Sequence, residues 1–235
     1  KKFGQVISTT IDKYIYVVAR KQTSVAKFKY RINWSKVEFT QKINEIKHPI
    51  AREAFKLLNI NFPCEISTFS DIPANTGLGS SSTFTVGLLN ALYTLKGVKI
   101  SKKLLAEQAI KIEVEILKRN MGKQDHYAAS YGGMNVITFN TNMKTDVKKI
   151  KLKKNVSNLL FKNLLLFFTG QTRDSSKILK KQKSSINKNF KNLKQMRDYV
   201  QLSKNFLLKG RLNQFAQILD KNWKLKKKLS KRISN

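Results

Sequence analysis

The sequence is short of acid and nearly devoid of cysteine and histidine: 14 Asp+Glu stand against 47 Lys+Arg, with one Cys and two His in 235 residues. One cysteine excludes an internal disulfide framework. Cys64, in the strand-like FPCEISTF, has no Cys or His beside it, which makes it a poor metal ligand and a candidate for the core. No stretch approaches the roughly 20 apolar residues of a membrane helix, and the opening KKFGQVISTT lacks the apolar centre of a signal peptide. A soluble, cytoplasmic chain is expected.

The scarcity of acid leaves a formal charge of +33, which invites a polyanion as partner. The lysines are spread along helical patterns (KKLLAEQAIK, KNFKNLKQ, WKLKKKLSKR), where they form solvated faces. An arginine-rich arm, zinc-finger spacing and an aromatic RNA-binding signature are all missing, so no specific nucleic-acid partner is expected. Hydrophobic residues make up 41% of the chain, with 14 Phe and 7 Tyr, and fall in periodic blocks that imply a folded core.

GQVISTTIDKYIYVVAR at 4–20 reads as two strands, VAKFKYRINW at 25–34 as a third, and 49–60 as a helix opened by Pro49, with His48 as its opening residue. FPCEISTFSDI returns to strand. Helices are predicted over 80–96 and from the Ser101 cap to about Arg119, then a short one ending at Gly132-Gly133, followed by the strand MNVITFN. The polar, basic stretch 141–158 reads as a domain boundary or an exposed excursion, LLLFFTG at 164–170 as a buried strand, and 175–185, 186–209 and 211–232 as helices. Strands and helices mix without regular βαβ alternation, which favours an α+β fold.

One stretch stands out, DIPANTGLGSSSTFTVGLLNAL at 71–92. Gly77 and Gly79 open backbone conformations closed to other residues, Ser80, Ser81, Ser82 and Thr83 add hydroxyls, and the helix that follows offers free N–H groups and a positive dipole end. Phosphate suits all three. No Gly-Lys-Ser/Thr follows, so this is not a Walker A loop, and Ser82 stands where the dinucleotide fingerprint needs its third glycine. On glycines and serines alone, a hydroxyl-capped turn between strand and helix remains open.

IPANTGLGSSST resembles the phosphate-binding signature of the GHMP small-molecule kinases, a family that includes galactokinase, mevalonate kinase and homoserine kinase. The resemblance implies that Pro73, Gly77, Leu78, Gly79, Ser80 and Ser81 wrap ATP, with Ser81 giving its hydroxyl to Mg²⁺. Downstream, in KIEVEILKRNMGKQDHYAASYGG, it implies Glu113 facing Mg²⁺, with Glu115 as the alternative should the helix phase differ. Asp125 becomes the base that activates the acceptor hydroxyl, with Lys123 keeping it ionised or touching a phosphate.

GKQDHYAASYGGMNVITFN, LLLFFTGQTRDSS and the lysine-rich C-terminal stretch look like the D-glycero-D-manno-heptose 7-phosphate kinase branch. That branch implies ATP-dependent phosphorylation of the anomeric hydroxyl of a phosphorylated heptose. Arg173, Thr172 and His126 are then the candidate substrate groups, with Lys13 and Arg20 weaker ones. Fucose kinases share part of the wording, and an inactive remnant or a basic nucleic-acid-binding module are the other readings. The implied fold is an N-terminal ATP-binding domain over 1–155, related to ribosomal-protein domains, and an incomplete C-terminal domain over 156–235. The family's opening strand and substrate loop and its closing glycine-rich motif have no counterpart here, so truncation at both ends is expected. A homo-oligomer stays open.

Overall fold

The computed structural model describes residues 3–23, 27–74, 76–168, 170 and 186–229. In chain order the elements are β1 (Gly4–Thr9), β2 (Ile15–Lys21), β3 (Tyr30–Asn33), β4 (Val37–Thr40), α1 (Pro49–Leu57), β5 (Cys64–Ser70), α2 (Ser80–Leu95), α3 (Lys102–Ile110), α4 (Gln124–Tyr131), β6 (Met134–Phe139), β7 (Thr145–Lys149), α5 (Lys154–Lys162), α6 (Phe190–Leu208) and α7 (Leu212–Leu229). Two compact units divide the chain, Ile11–Tyr131 and Lys1–Thr10 with Gly132–Asn235. No described helix is long and apolar enough to cross a membrane.

Ile11–Tyr131 is built on a mixed sheet in the order β2–β5–β3–β4, in which β3 and β5 run parallel and the other neighbours antiparallel. Ile15, Val17 and Ala19 of β2 pack on the core, while Tyr16, Val18 and Arg20 between them are exposed. That two-residue alternation is what one covered face demands. Ile32 and Ile66 of the sheet meet Ala54 and Phe55 of α1, Leu88, Leu89 and Leu92 of α2, and Ala109 of α3 in one core. Cys64 is fully buried there, as its setting in the sequence implies, and burial pushes its thiol up to about 12. Helix α2 buries Phe84, Thr85, Val86, Leu88, Leu89 and Leu92 around much of its circumference. Such a helix is fixed on several sides, and so is whatever its N-terminus presents.

The second unit contains a three-stranded antiparallel sheet, β1–β6–β7, with Gly4 opposite Phe139 and Thr9 opposite Met134. Val136, Ile150 and Val200 form its core with Ile7 and Met134. The polar stretch 141–158, read as a domain boundary or an exposed excursion, here holds β7 and opens α5 inside this one unit. Thr145–Lys149 can form a strand despite its lysines because an edge strand is paired on one side only and needs little apolar content. Leu164–Phe168, expected as a buried strand, is strongly exposed and pairs with no described strand. An apolar run becomes a buried strand only where a neighbouring strand and a second layer cover it. The helix expected over 175–185 lies outside the described residues.

Two local departures bear on function. The helix expected to run to Arg119 is α-helical only to Ile110 and widens into a π-helical turn over Lys111–Ile116, closed by Leu117 N donating to Ile112 O at 2.9 Å. Lys118 follows in the left-handed region, φ 52°. Turns of this kind recur at functional sites because they re-aim side chains mid-helix.

The second departure is His48, which opens α1 as expected and does more. Its Nδ1 accepts from Ala51 N at 3.2 Å, and its ring packs edge-on against Trp34 and beside Phe84. Burial lowers its pKa, Glu38 opposes that, and the Arg119 charge adds to it. A lowered histidine pKa means that, as pH falls below about 6.5, the unfolded chain takes up a proton the folded one refuses. Stability should therefore fall on acidification, by at most about 1.4 kcal/mol per pH unit from this group. Melting followed by circular dichroism at pH 7.5 and 5.5 should show a drop that His48→Asn, which keeps a capping side chain, reduces. An identical drop in the variant would remove His48 as the cause.

Candidate active site

The stretch after β5 is shaped by two left-handed glycines, Gly77 (φ 81°) and Gly79 (φ 75°), the second being the N-cap of α2. Gly79 gives α2 no side-chain cap, and the first N–H groups of a helix have no partner within it. Pro73 and Leu78 are exposed on the approach. Ser80 and Ser81 are half-buried on the first turn of α2. The other two expected hydroxyls are turned away from it. Ser82 is fully buried with no partner for its Oγ, and Thr83 donates its Oγ1 hydrogen back to Gly79 O at 3.0 Å. Only every third or fourth residue of a helix shares a face, so four consecutive hydroxyls cannot all line one cradle.

Asp125 enters from the other side, on the first turn of α4. A Cβ built on Gly79 would lie 3.2 Å from Asp125 Cβ and Cγ and 3.3 Å from its Oδ2. The carboxylate thus lies against the N-terminus of α2, in space that only glycine leaves open. Lys123, half-buried, sits one residue before α4.

Glu113 is the hub of the remaining polar groups and is fully buried at the π-helical turn. Its Oε1 accepts from the Ser81 hydroxyl and from Arg119 Nη1 at 2.9 Å, and its Oε2 meets His126 Nε2 at 3.0 Å. Arg119 Nη1 also reaches Ser81 Oγ at 2.6 Å. Burial alone would push the Glu113 carboxyl up; the hydrogen bonds from His126 and Ser81 and the Arg119 charge outweigh it and hold the pKa below the ordinary carboxylate value. A buried charge needs such partners, since an unpaired one would neutralise itself instead.

Glu113, and not Glu115, is the carboxylate turned toward the loop; Glu115 is exposed. His126, expected among the substrate groups, has no exposed surface and serves Glu113. Ring and carboxylate hold each other because neither could be buried unpartnered. Arg119 was not foreseen. Its position in KRNMGKQD follows no helical period, and the π turn that aims it leaves no mark in composition. Arg20 lies on the outer sheet face bound to Glu65 at 2.6 Å, and Lys13 is exposed. Thr172 and Arg173 lie outside the described residues.

Ser81 and Glu113 are hard oxygen donors side by side, one neutral and one anionic. That set fits Mg²⁺, which commonly takes one or two protein oxygens and completes its shell with phosphate and water. Among the described residues no cluster of three or more His, Cys, Asp or Glu offers a denser metal cage.

Residues 44–133 match the family model described as the GHMP kinases N terminal domain. The chain is 30% identical to a D-glycero-alpha-D-manno-heptose 7-phosphate kinase from Campylobacter jejuni, over 100% of this chain and 73% of the relative. Among solved structures it is similar to a D-glycero-D-manno-heptose 1-phosphate kinase from Bacteriodes thetaiotaomicron, with TM-score 0.80, 24% identity and coverage of 96% of this chain and 71% of that one. Streptococcus pneumoniae phosphomevalonate kinase in complex with phosphomevalonate and AMPPNP aligns with TM-score 0.79 at 16% identity, covering 98% and 75%. At such identities these two speak for the fold. The matched span 44–133 contains Gly79, Ser81, Glu113 and Asp125, the residues gathered at the start of α2, and with the 30% identity over 73% of the heptose 7-phosphate kinase it places this chain in the GHMP kinase family of ATP-dependent phosphotransferases.

Proposed function

We propose that this chain transfers the γ-phosphoryl group of ATP to the anomeric hydroxyl of D-glycero-D-manno-heptose 7-phosphate. The observation that carries the reading is the Asp125 carboxylate lying against Gly79, at the point where α2 presents its free N–H groups. A phosphate chain held there would have an ionised base beside its terminal phosphorus. The choice of sugar draws on the Campylobacter jejuni relative, whose name states that substrate.

In this mechanism the N–H groups of Ser80 and Ser81 receive phosphate oxygens, with the helix dipole offsetting their charge. Asp125 accepts the proton of the sugar hydroxyl as its oxygen bonds to the γ-phosphorus; the bond to the bridging oxygen breaks and ADP leaves. Mg²⁺ held by Ser81 and Glu113 would neutralise charge on the moving phosphoryl group. Lys123 keeps Asp125 ionised or meets a phosphate, and His126 fixes Glu113 in place. The substrate's own phosphate is assigned to Arg173 and Thr172 on the sequence alone.

The reading is tested by following ADP release with heptose 7-phosphate, fucose and galactose as acceptors. Turnover on heptose 7-phosphate should exceed that on either neutral sugar by about 100-fold or more in kcat/KM, because a site built for a phosphate leaves cations unpaired without one. Equal turnover on fucose would move the substrate to the fucose kinase reading. No ADP release with any acceptor would leave a catalytically silent relative.

A further inference from the structure

The two oxygens assigned to Mg²⁺ already share a cation. Arg119 Nη1 lies 2.6 Å from Ser81 Oγ and 2.9 Å from Glu113 Oε1, so one nitrogen bridges both. Mg²⁺ binds oxygen at about 2.0–2.1 Å and demands near-octahedral geometry, which leaves no room for a guanidinium hydrogen-bonded to the same two atoms. The charges would also repel at this range. Arg119 and a metal ion cannot use this pair at once.

The backbone of Arg119 is anchored and its side chain is not enclosed. Arg119 N donates to Glu113 O at 3.0 Å, tying the residue to the π turn beside the carboxylate it serves. Its side chain is 36% exposed, whereas that of Glu113 has no exposure. The cation can therefore leave toward solvent while the carboxylate stays. Phosphate oxygens at the start of α2 would offer the departing guanidinium a matching bidentate partner.

We propose that Arg119 is a tethered competitor for the metal seat, exchanging the Ser81–Glu113 pair for the phosphates when the metal arrives with the nucleotide. This rests on the reading that Ser81 and Glu113 hold Mg²⁺. The consequence is selective: the free ion binds weakly because it must displace Arg119, whereas the metal–nucleotide complex gives the arginine somewhere to go. Arg119 is thus a positioning residue that makes metal loading depend on nucleotide.

The test uses Mn²⁺ as a spectroscopic stand-in, with free ion counted by electron paramagnetic resonance and no activity required. If Arg119 occupies the pair in about nine molecules of ten, its removal should tighten binding about 10-fold, since apparent affinity scales with the competent fraction. Arg119→Met should therefore bind Mn²⁺ about 10-fold more tightly than the parent without nucleotide, and the gap should shrink when ADP is added. Adding Glu113→Gln to Arg119→Met should abolish the gain. Equal or weaker binding by Arg119→Met overturns the proposal and leaves the kinase reading standing. Absence of Mn²⁺ binding in every form, with or without ADP, overturns both. Should Arg119→Met fail to fold, the side-chain Nε–H signal of Arg119 in ¹⁵N-labelled parent serves instead: it should shift saturably on Mg²⁺ addition, and an unmoved signal at saturating Mg²⁺ overturns the proposal.

Discussion

Asp125→Asn should lower kcat by roughly 1,000-fold, within the 10²–10⁴ range that a positioned general base supplies. Asparagine has the same shape, so it fits the space beside Gly79 that the carboxylate fills. It cannot take the proton of an attacking hydroxyl. Affinity for ATP, read by nucleotide fluorescence titration, should change by less than about threefold, because loss confined to the chemical step appears in kcat and not in ground-state binding. Melting temperature should stay within a few degrees of the parent. Turnover within about threefold of the parent would remove Asp125 from its role, and a matching loss of nucleotide affinity would reassign it to binding.

Gly79→Ala should also be damaging, less severely and by a different route. A left-handed φ of 75° disfavours any Cβ at this position, at a cost of about 1–2 kcal/mol. The added carbon would also sit 3.2 Å from two carbons of Asp125 and must push that side chain by tenths of an ångström. Misplacing a reacting group by about 1 Å costs about 100-fold, so a 10- to 100-fold fall in kcat is expected. The strain alone should lower the melting temperature by about 5 °C. Because the alanine acts largely through Asp125, adding it to Asp125→Asn should cost little further turnover. Full additivity in that double-mutant cycle, or unimpaired kcat in the single variant, would sink the argument.

The residues of this site were legible in the sequence to very different degrees. Gly79 announces itself as a turn before a helix start, whereas Ser81 and Asp125 stand out only through the resemblance of GLGSSS and GKQD to the GHMP kinases. The roles of Ser82 and Thr83 were overread, since the rotation of about 100° per helical residue sends neighbours to different faces. Arg119 and the true partner of His126 were hidden for a further reason. Arg119 and His126 both meet Glu113, which sits on the π turn at Lys111–Ile116, a departure from regular helical phase that leaves no mark in composition. The fold shows the same division. Strands such as β2 and β6 carry runs of apolar and β-branched residues, whereas β7 is polar and basic and lacks them. Conversely, Leu164–Phe168 has the composition of a strand without a described strand beside it.

The pairing of β1 with β6 has a bearing on synthesis. Gly4–Thr9 leaves the ribosome early, yet its hydrogen-bonding partner Met134–Phe139 is made only after all of Ile11–Tyr131 has emerged. Until then the strand is an open ladder, liable to pair with a neighbouring polysome product. Translation speed across 11–131 would then set how long that ladder stays open.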